Sequence, residues 1–206
     1  MIAIVDYGMG NLRSVAKAVQ RCGGDARLVS TPSEVAAADK IILPGVAAFG
    51  DAMQRLGALD LAEPIAAAVR RGVPYLGFCL GLQLLFDLSY EDGEHRGLGI
   101  LPGEVMRFDF RSIGGSGRLA VPHMGWNQIR RVRDCPMLKG IPDGAYVYFA
   151  HSYYVAPADE SLTATTTDYG YRFTSSVWKD NIFATQFHPE KSQAVGLRLL
   201  ENFVRS

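Results

Sequence analysis

The segment 77–81, with the sequence Gly-Phe-Cys-Leu-Gly, holds the residue best placed for nucleophilic chemistry, Cys79. A strand pattern precedes Cys79 and a helical pattern follows it, as in the elbow that presents a nucleophilic side chain. Glycine at both flanks avoids collisions at such a sharp turn. Unpaired N–H groups at a helix start favour the thiolate, and the Leu80 N–H is suited to holding an oxyanion. Cys22 and Cys135 lack this context and are predicted to be structural.

A histidine suited to act as the base follows a second strand pattern. His188 follows the predicted strand 182–187, and Pro189 blocks continuation of that strand. Glu190 lies two residues further on, where one turn can hold its carboxylate against the imidazole and fix the tautomer. His95 lies among charged residues and is predicted to be solvated. The pattern predicts a nucleophile, a base and an orienting carboxylate, although a His-Pro-Glu turn before a helix is the simpler alternative.

Bulk composition and spacing argue against several other classes of function. No His or Cys pair has the close spacing of a zinc site, and the segment 8–13 lacks the third glycine of a dinucleotide fingerprint. Basic and acidic residues both number 21, so no surplus of basic charge points to nucleic acid. No apolar run approaches the length of a membrane span. We expect no metal, cofactor, nucleic acid or membrane partner, and we expect a reducing, cytoplasmic compartment.

The elements that must position these residues follow from hydrophobic periodicity. Strands are predicted at 2–5, 26–29, 40–43 and 74–78, and helices at 11–22, 61–71, 80–88 and 192–204. The second half, at 146–155 and 162–186, has antiparallel or mixed strand patterns. The sequence predicts one α/β domain over 1–206, with a mostly parallel open sheet, flanking helices and an antiparallel extension.

Three motifs together resemble the triad-type, or class I, glutamine amidotransferases over nearly the whole chain. They are the segment 77–83, the Pro-Gly-Val loop at 44–46 and the segment 186–190. The resemblance implies the class I fold, glutamine as substrate and a catalytic triad of Cys79, His188 and Glu190. Segments 6–11, 122–127 and 148–153 are more specific. They resemble glutaminase subunits that pass ammonia to a (β/α)8-barrel cyclase of histidine biosynthesis in a heterodimer.

The same resemblance implies further roles, position by position. The oxyanion hole is assigned to Leu80 and Val46. Substrate binding is assigned to Gly45, Gln83, Glu91, Ser152 and Tyr153, and Glu91 is expected to recognise the α-ammonium group. The partner interface is assigned to Asn11, Trp126, Asn127, Tyr148 and Lys191. His123 and His151 belong to the motifs but receive no role in the triad.

Val46 occupies a position where related families often have glycine. A β-branched residue resists positive φ, so we expect the oxyanion hole to depend on the partner rather than to be preformed. Three alternatives remain at this point. The chain is a glutaminase for a nucleotide or aromatic-precursor synthase, a cysteine peptidase or small esterase, or an inactive binding module.

Overall fold

The computed structural model describes residues 1–111 and 119–206. Its strands are β1 (Ile2–Val5), β2 (Ala26–Val29), β3 (Lys40–Leu43), β4 (Tyr75–Phe78), β5 (Leu88–Ser89), β6 (His95–Arg96), β7 (Gly103–Arg107), β8 (His123–Gln128), β9 (Arg130–Arg131), β10 (Tyr146–His151), β11 (Tyr153–Pro157), β12 (Thr163–Tyr169), β13 (Tyr171–Lys179) and β14 (Ile182–Thr185). Its helices are α1 (Leu12–Arg21), α2 (Pro32–Ala36), α3 (Phe49–Ala58), α4 (Ala62–Arg70), α5 (Leu80–Gln83) and α6 (Gln193–Arg205).

The central sheet has a parallel half and an antiparallel half. The parallel half runs in the order β2-β1-β3-β4-β14. From β14 the sheet continues through β13, β11 and β7, which pair in antiparallel fashion. Strand β12 also pairs with β13 in antiparallel fashion, as a branch of the sheet. The predicted parallel sheet with an antiparallel extension is therefore confirmed.

Helices cover both faces of the parallel strands, because the strands are apolar on both sides. In β1, Ile2 and Ile4 belong to one buried cluster and Ala3 and Val5 to the other. Helices α1 and α6 pack on the first face, and α2, α3 and α4 on the second. This layering leaves the carboxyl ends of the parallel strands open, where ligands bind in open α/β sheets.

The helix after Cys79 is shorter than the predicted 80–88, because α5 ends at Gln83. The carbonyls of Leu84, Leu85 and Phe86 accept hydrogen bonds from the backbone of segment 98–101 instead of from a continuing helix. All three side chains are fully buried, so an apolar run that looked helical is a buried, irregular connection to β5.

Helices α2 and α3 and strand β8 were not predicted, whereas β10 lies within the predicted strand segment 146–155. Helix α2 begins with a capping box between Thr31 and Glu34, and α3 follows the Pro-Gly-Val loop. Strands β8 and β10 form their own antiparallel ribbon, in which Tyr148 pairs with Trp126. In the part of the chain that the structure describes, no helix is long and apolar enough to cross a membrane.

Candidate active site

Cys79 sits at the turn between β4 and α5, with φ of 50° and ψ of −102°. A non-glycine residue in this region is strained, and such strain is typical of functional turns. A Cβ added to Gly77 would meet the Gly81 carbonyl oxygen at 2.5 Å, and one added to Gly81 would overlap the carbonyl oxygen of Leu43. Both flanking glycines are therefore required by close backbone contacts, as the sequence indicates.

His188 and Glu190 form the second half of the site, on the loop that follows β14. The His188 Nδ1 atom lies 2.9 Å from Glu190 Oε1, and both side chains are almost completely buried. The carboxylate can only accept a hydrogen bond, so Nδ1 carries the donated proton. Nε2 is therefore the ring nitrogen that can take up or release a proton. Nε2 is buried without a hydrogen-bond partner among the described residues. This geometry is that of a base held in one tautomer by an orienting carboxylate.

The Cys79 sulfur and the Glu190 carboxylate both act on the charge of His188. Burial lowers the His188 pKa, but interactions with Cys79 and Glu190 outweigh burial and raise the pKa to about 10. Both groups therefore stabilise the imidazolium, although no Cys79–His188 hydrogen bond is formed in this geometry. Catalytic hydrogen bonds of unliganded enzymes commonly tighten only when substrate binds.

Two further polar groups touch the sulfur, and sequence reasoning missed both. Gln186 Nε2 lies 3.5 Å from Cys79 Sγ, and the carbonyl oxygen of Ala150 lies 3.9 Å from it. The signal for Gln186 was available in principle. If His188 must reach Cys79, β14 must lie beside β4, and residue 186 then falls opposite the nucleophile.

A cavity of about 330 Å³ opens at Cys79. Most of the predicted oxyanion and substrate residues line it: Val46, Leu80, Gln83, Glu91, Ser152 and Tyr153. They come from the loop after β3, from α5, from the segment after β5 and from the β10–β11 connection. The fold therefore gathers distant segments around one nucleophile in a cavity of suitable size for a small polar substrate.

Comparisons with known proteins agree with this geometry. The family described as "Glutamine amidotransferase class-I" matches residues 3–206. The chain belongs to the class I glutamine amidotransferases.

Among curated relatives, the chain is 56% identical to "Imidazole glycerol phosphate synthase subunit HisH" of Syntrophotalea carbinolica, covering 98% of both chains. It is 53% identical to the protein of the same name from Aquifex aeolicus, covering 98% of this chain and 95% of that one. A solved structure described as a glutamine amidotransferase superposes with a TM-score of 0.74 at 17% identity, covering 100% of this chain and 98% of the other. That structural likeness concerns the fold.

The Pro-Gly-Val loop of this amidotransferase lies against the elbow. A Cβ on Gly45 would overlap the Tyr7 hydroxyl, which donates a hydrogen bond to the Pro44 carbonyl at 3.0 Å, so Gly45 is needed for close packing. Gly45 does not line the cavity, unlike its neighbour Val46, which is 56% exposed. Val46 is not among the described non-glycine residues with positive φ, in line with its β-branched side chain.

Glu91 is anchored at the start of α3. Its Oε2 atom accepts a hydrogen bond from the Phe49 N–H at 2.7 Å. Burial raises the pKa of the carboxyl group, while the bond from Phe49 opposes that rise. A carboxylate that is partly desolvated at the cavity wall is suited to pairing with a cationic group.

Three of the predicted interface residues form one cluster beside the triad. The rings of Trp126 and Tyr148 lie 6.0 Å apart, and Lys191 Nζ lies 5.6 Å from the Tyr148 ring centre. Tyr148 in turn lies 6.5 Å from His188. Trp126 lies within β8, where it pairs with Tyr148 of β10, and it is 47% exposed. That exposure excludes a core role.

The other two interface residues are placed differently. The Asn127 side chain points to the opposite face of β8 and donates to the Asp168 carbonyl at 3.0 Å, because neighbouring strand residues alternate in direction. Asn11 is exposed and precedes α1 without a side-chain cap bond. The Asn127 side chain thus points away from the cluster of Trp126, Tyr148 and Lys191.

The two motif histidines form a buried polar pair. His123 Nδ1 lies 3.0 Å from His151 Nε2, and His151 Nδ1 lies 2.7 Å from the Tyr153 carbonyl oxygen. Burial lowers the pKa of His123 to about 4 and that of His151 to about 3, so both are neutral.

His95, predicted to be solvated, is half-buried and packs against Gly50 of α3. No cluster of metal-ligand side chains occurs in the described ranges 1–111 and 119–206.

Proposed function

We propose that this chain is the glutaminase subunit of an imidazole glycerol phosphate synthase, and that it releases ammonia from glutamine for histidine biosynthesis. The observation that carries the proposal is the nucleophile elbow of Cys79 at the wall of a small cavity, together with a buried His188–Glu190 pair that interacts with the Cys79 sulfur. The names of the relatives at 56% and 53% identity favour this synthase over one of nucleotide or aromatic metabolism.

The first half of the reaction forms a thioester. The Cys79 thiolate attacks the side-chain amide carbon of glutamine, and its charge moves to the amide oxygen. The N–H groups of Leu80 and Val46 hold that oxyanion. The His188 imidazolium gives its proton to the amide nitrogen, and the C–N bond breaks to release ammonia.

The second half hydrolyses the thioester. Neutral His188 takes a proton from water, and the resulting hydroxide attacks the thioester carbon. Collapse of the second oxyanion expels the Cys79 thiolate and leaves the γ-carboxylic acid, which loses its proton to solvent and becomes glutamate. The proton stays on His188, which restores the starting pair, so the cycle consumes one glutamine and one water. Glu190 keeps the imidazole in position and stabilises its charge throughout.

Substrate recognition is assigned to the groups around the cavity. Glu91 pairs with the α-ammonium group of glutamine, and Gln83 holds the substrate one helical turn from the nucleophile. Backbone groups of Ser152 and Tyr153 complete the pocket. Gly45 acts indirectly, because its lack of a side chain lets the loop lie against Tyr7 and the elbow.

The partner is a cyclase with a (β/α)8 barrel, and the two chains form a cytoplasmic heterodimer with lyase activity overall. The exposed cluster of Trp126, Tyr148 and Lys191 supports docking beside the triad, since interfaces are enriched in aromatic residues. Asn11 and Asn127 are retained as interface residues, the latter through the backbone of β8. Residues 1–206 act as a single glutaminase domain, and the reaction requires no cofactor.

The test is glutamate release by the purified chain, alone and with the cyclase plus its nucleotide ligand. We expect slow hydrolysis alone and a rise in kcat of roughly 10²–10³-fold in the complex, which is the scale of one oxyanion donor. KM should change less, because that donor acts mainly in the transition state. Full activity of the isolated chain would contradict control by the partner. No glutamate under either condition would contradict the function itself.

A further inference from the structure

Gln186 is a fully buried polar residue that the triad mechanism does not use. It directly follows β14, and Cys79 directly follows β4. The two strands pair in parallel, with Thr185 opposite Phe78, so the next residue of each strand lies at the same sheet edge. The Cys79 N–H donates to the Thr185 carbonyl at 2.7 Å, which fixes the elbow against this strand end. The position of Gln186 beside the sulfur is thus set by the backbone.

The direction of the Gln186 amide follows from a chain of hydrogen bonds that begins at a backbone carbonyl. The backbone carbonyl oxygen of Tyr153 can only accept a hydrogen bond. The atom of Gln83 that lies 3.1 Å from it is therefore the nitrogen Nε2. That nitrogen can only donate, so the Gln186 atom 3.1 Å away is the oxygen Oε1. The remaining Gln186 atom, 3.5 Å from Cys79 Sγ, is therefore the nitrogen.

The Tyr153 carbonyl is itself held in place. His151 Nδ1 lies 2.7 Å from the same oxygen, and His151 is buried. Rotating the Gln186 amide by half a turn would place its oxygen against the sulfur and its NH2 group against that of Gln83. Both contacts would be repulsive, so the network enforces one orientation. Within the described residues, the one hydrogen bond from Gln186 Nε2 goes to the sulfur.

We propose that Gln186 is a further catalytic residue, whose side-chain N–H donates to the Cys79 sulfur and stabilises the thiolate. This role rests on the proposed function only in that Cys79 is the nucleophile. Gln83 is the positioning residue for this contact, because its nitrogen orients the Gln186 amide. Since Gln83 also lines the cavity, the substrate pocket and the nucleophile share one hydrogen-bond network.

The N–H···S contact matters more for the thiolate than for the thiol. A hydrogen bond to a charged acceptor is roughly twice as strong as one between neutral groups. Removing such a bond is expected to change the thiol–thiolate equilibrium by roughly 10- to 100-fold. The imidazolium of His188 supplies the positive charge that balances the thiolate. Gln186 supplies an uncharged N–H donor that holds the Cys79 sulfur in position.

The test measures alkylation of Cys79 by iodoacetamide in the isolated chain as a function of pH, quantified on the Cys79 peptide by mass spectrometry. Gln186→Met keeps the length and volume of the side chain and removes the donor. Gln186→Asn keeps an amide but withdraws it by one methylene, and it serves if the Met variant fails to fold. In each folded variant, we expect the midpoint of the alkylation profile to rise by about one pH unit or more.

A matched control is Asn181→Leu, which removes another amide that donates to two carbonyls, those of Val69 and Val73, away from the sulfur. This variant should lose stability and keep the wild-type alkylation profile. Midpoints of both Gln186 variants that match the wild type would overturn the proposal. Alkylation requires no glutamine, so this result is separate from the assay of the proposed function.

With the cyclase present, Gln186→Met should lower kcat for glutamine by roughly 10- to 100-fold, with a smaller change in KM.

Discussion

At the scale of single residues, the site depends on the charge of one imidazole. His188 would be neutral if burial alone acted on it, but the Cys79 sulfur and the Glu190 carboxylate raise its pKa to about 10. In the proposed mechanism, the imidazolium is therefore available to protonate the leaving nitrogen across the neutral pH range. The Glu190 carboxylate, 2.9 Å from Nδ1, stabilises the positive charge of the imidazolium. It also fixes the tautomer of the ring when the ring is neutral.

Glu190→Gln tests this role. The amide keeps the shape of the side chain but removes its charge, so the imidazolium is less stable and the wrong tautomer becomes accessible. We expect kcat for glutamine hydrolysis in the cyclase complex to fall by roughly 10–10⁴-fold, with a smaller effect than that of His188→Ala. Steady-state kinetics of both variants provide the comparison. A larger loss in Glu190→Gln than in His188→Ala would be inconsistent with an orienting carboxylate.

The proposed triad could be selected from sequence because each member lies in a local pattern: a glycine-flanked cysteine after one strand, and a His-Pro-Glu turn after another. Gln186 and Tyr7 were not found in this way, because their roles arise from contacts between segments far apart in the chain. Asn127 shows the limit of motif reasoning. Its neighbour Trp126 faces outward, but the alternation of a strand turns Asn127 inward.

At the scale of elements, the elbow depends on how closely α5 approaches β3. A Cβ at Gly81 would overlap the Leu43 carbonyl oxygen, and backbone at this position cannot move without disturbing the sheet. Gly57 in α3 has open space around it, so alanine there adds no contact and favours the helix.

We expect Gly81→Ala to lower the free energy of unfolding by about 2 kcal/mol or more, as overpacked cores do. The matched variant Gly57→Ala should raise it by about 0.5–1 kcal/mol and leave glutaminase activity unchanged. Urea titration of the three proteins measures both changes. Wild-type stability in Gly81→Ala would show that the elbow does not require this close approach.

The ribbon of β8 and β10 carries the buried histidine pair, and its stability should depend on pH. In the folded protein His123 and His151 take up protons only near pH 4 and pH 3, whereas the ordinary value is 6.5. Between these limits the unfolded chain binds more protons than the folded chain. The free energy of unfolding must therefore fall as pH falls from about 6.5 toward about 4.

Replacing both histidines with glutamine should reduce this acid-dependent loss relative to the wild type. Urea midpoints at about pH 7 and about pH 4.5 give the comparison, since other titrating groups are shared by the two proteins. An equal loss of stability in the wild type and the double variant would show that the pair is not the source of the effect.

Most element positions were predictable, because periodicity identifies buried strands and amphipathic helices. The predicted helix over 80–88 was too long, since a wholly apolar run carries no periodic signal to distinguish helix from buried loop. Helix α2 was missed although its Thr-Pro-Ser-Glu start carries a capping signal. Helix α3 was missed because it contains two glycines, Gly50 and Gly57, which weaken its helical pattern.

At the scale of the whole molecule, both active-site halves lie at the carboxyl ends of neighbouring parallel strands, β4 and β14. Ser152 and Tyr153 reach the cavity from the antiparallel half, at the β10–β11 connection. Trp126, Tyr148 and Lys191 extend the same region to the surface. Within this exposed cluster, the Tyr148 ring lies 6.5 Å from the His188 ring. A partner that binds the cluster can therefore influence the position of His188.

The central claim is that Cys79 is the nucleophile that hydrolyses glutamine. Its most direct test is glutamate release by Cys79→Ala in the presence of the cyclase and its nucleotide ligand, with Cys135→Ala as the control. We predict no measurable glutamate from Cys79→Ala, wild-type release from Cys135→Ala, and an unchanged fold in the first variant because only one sulfur is lost. Near-normal turnover by Cys79→Ala would contradict the mechanism.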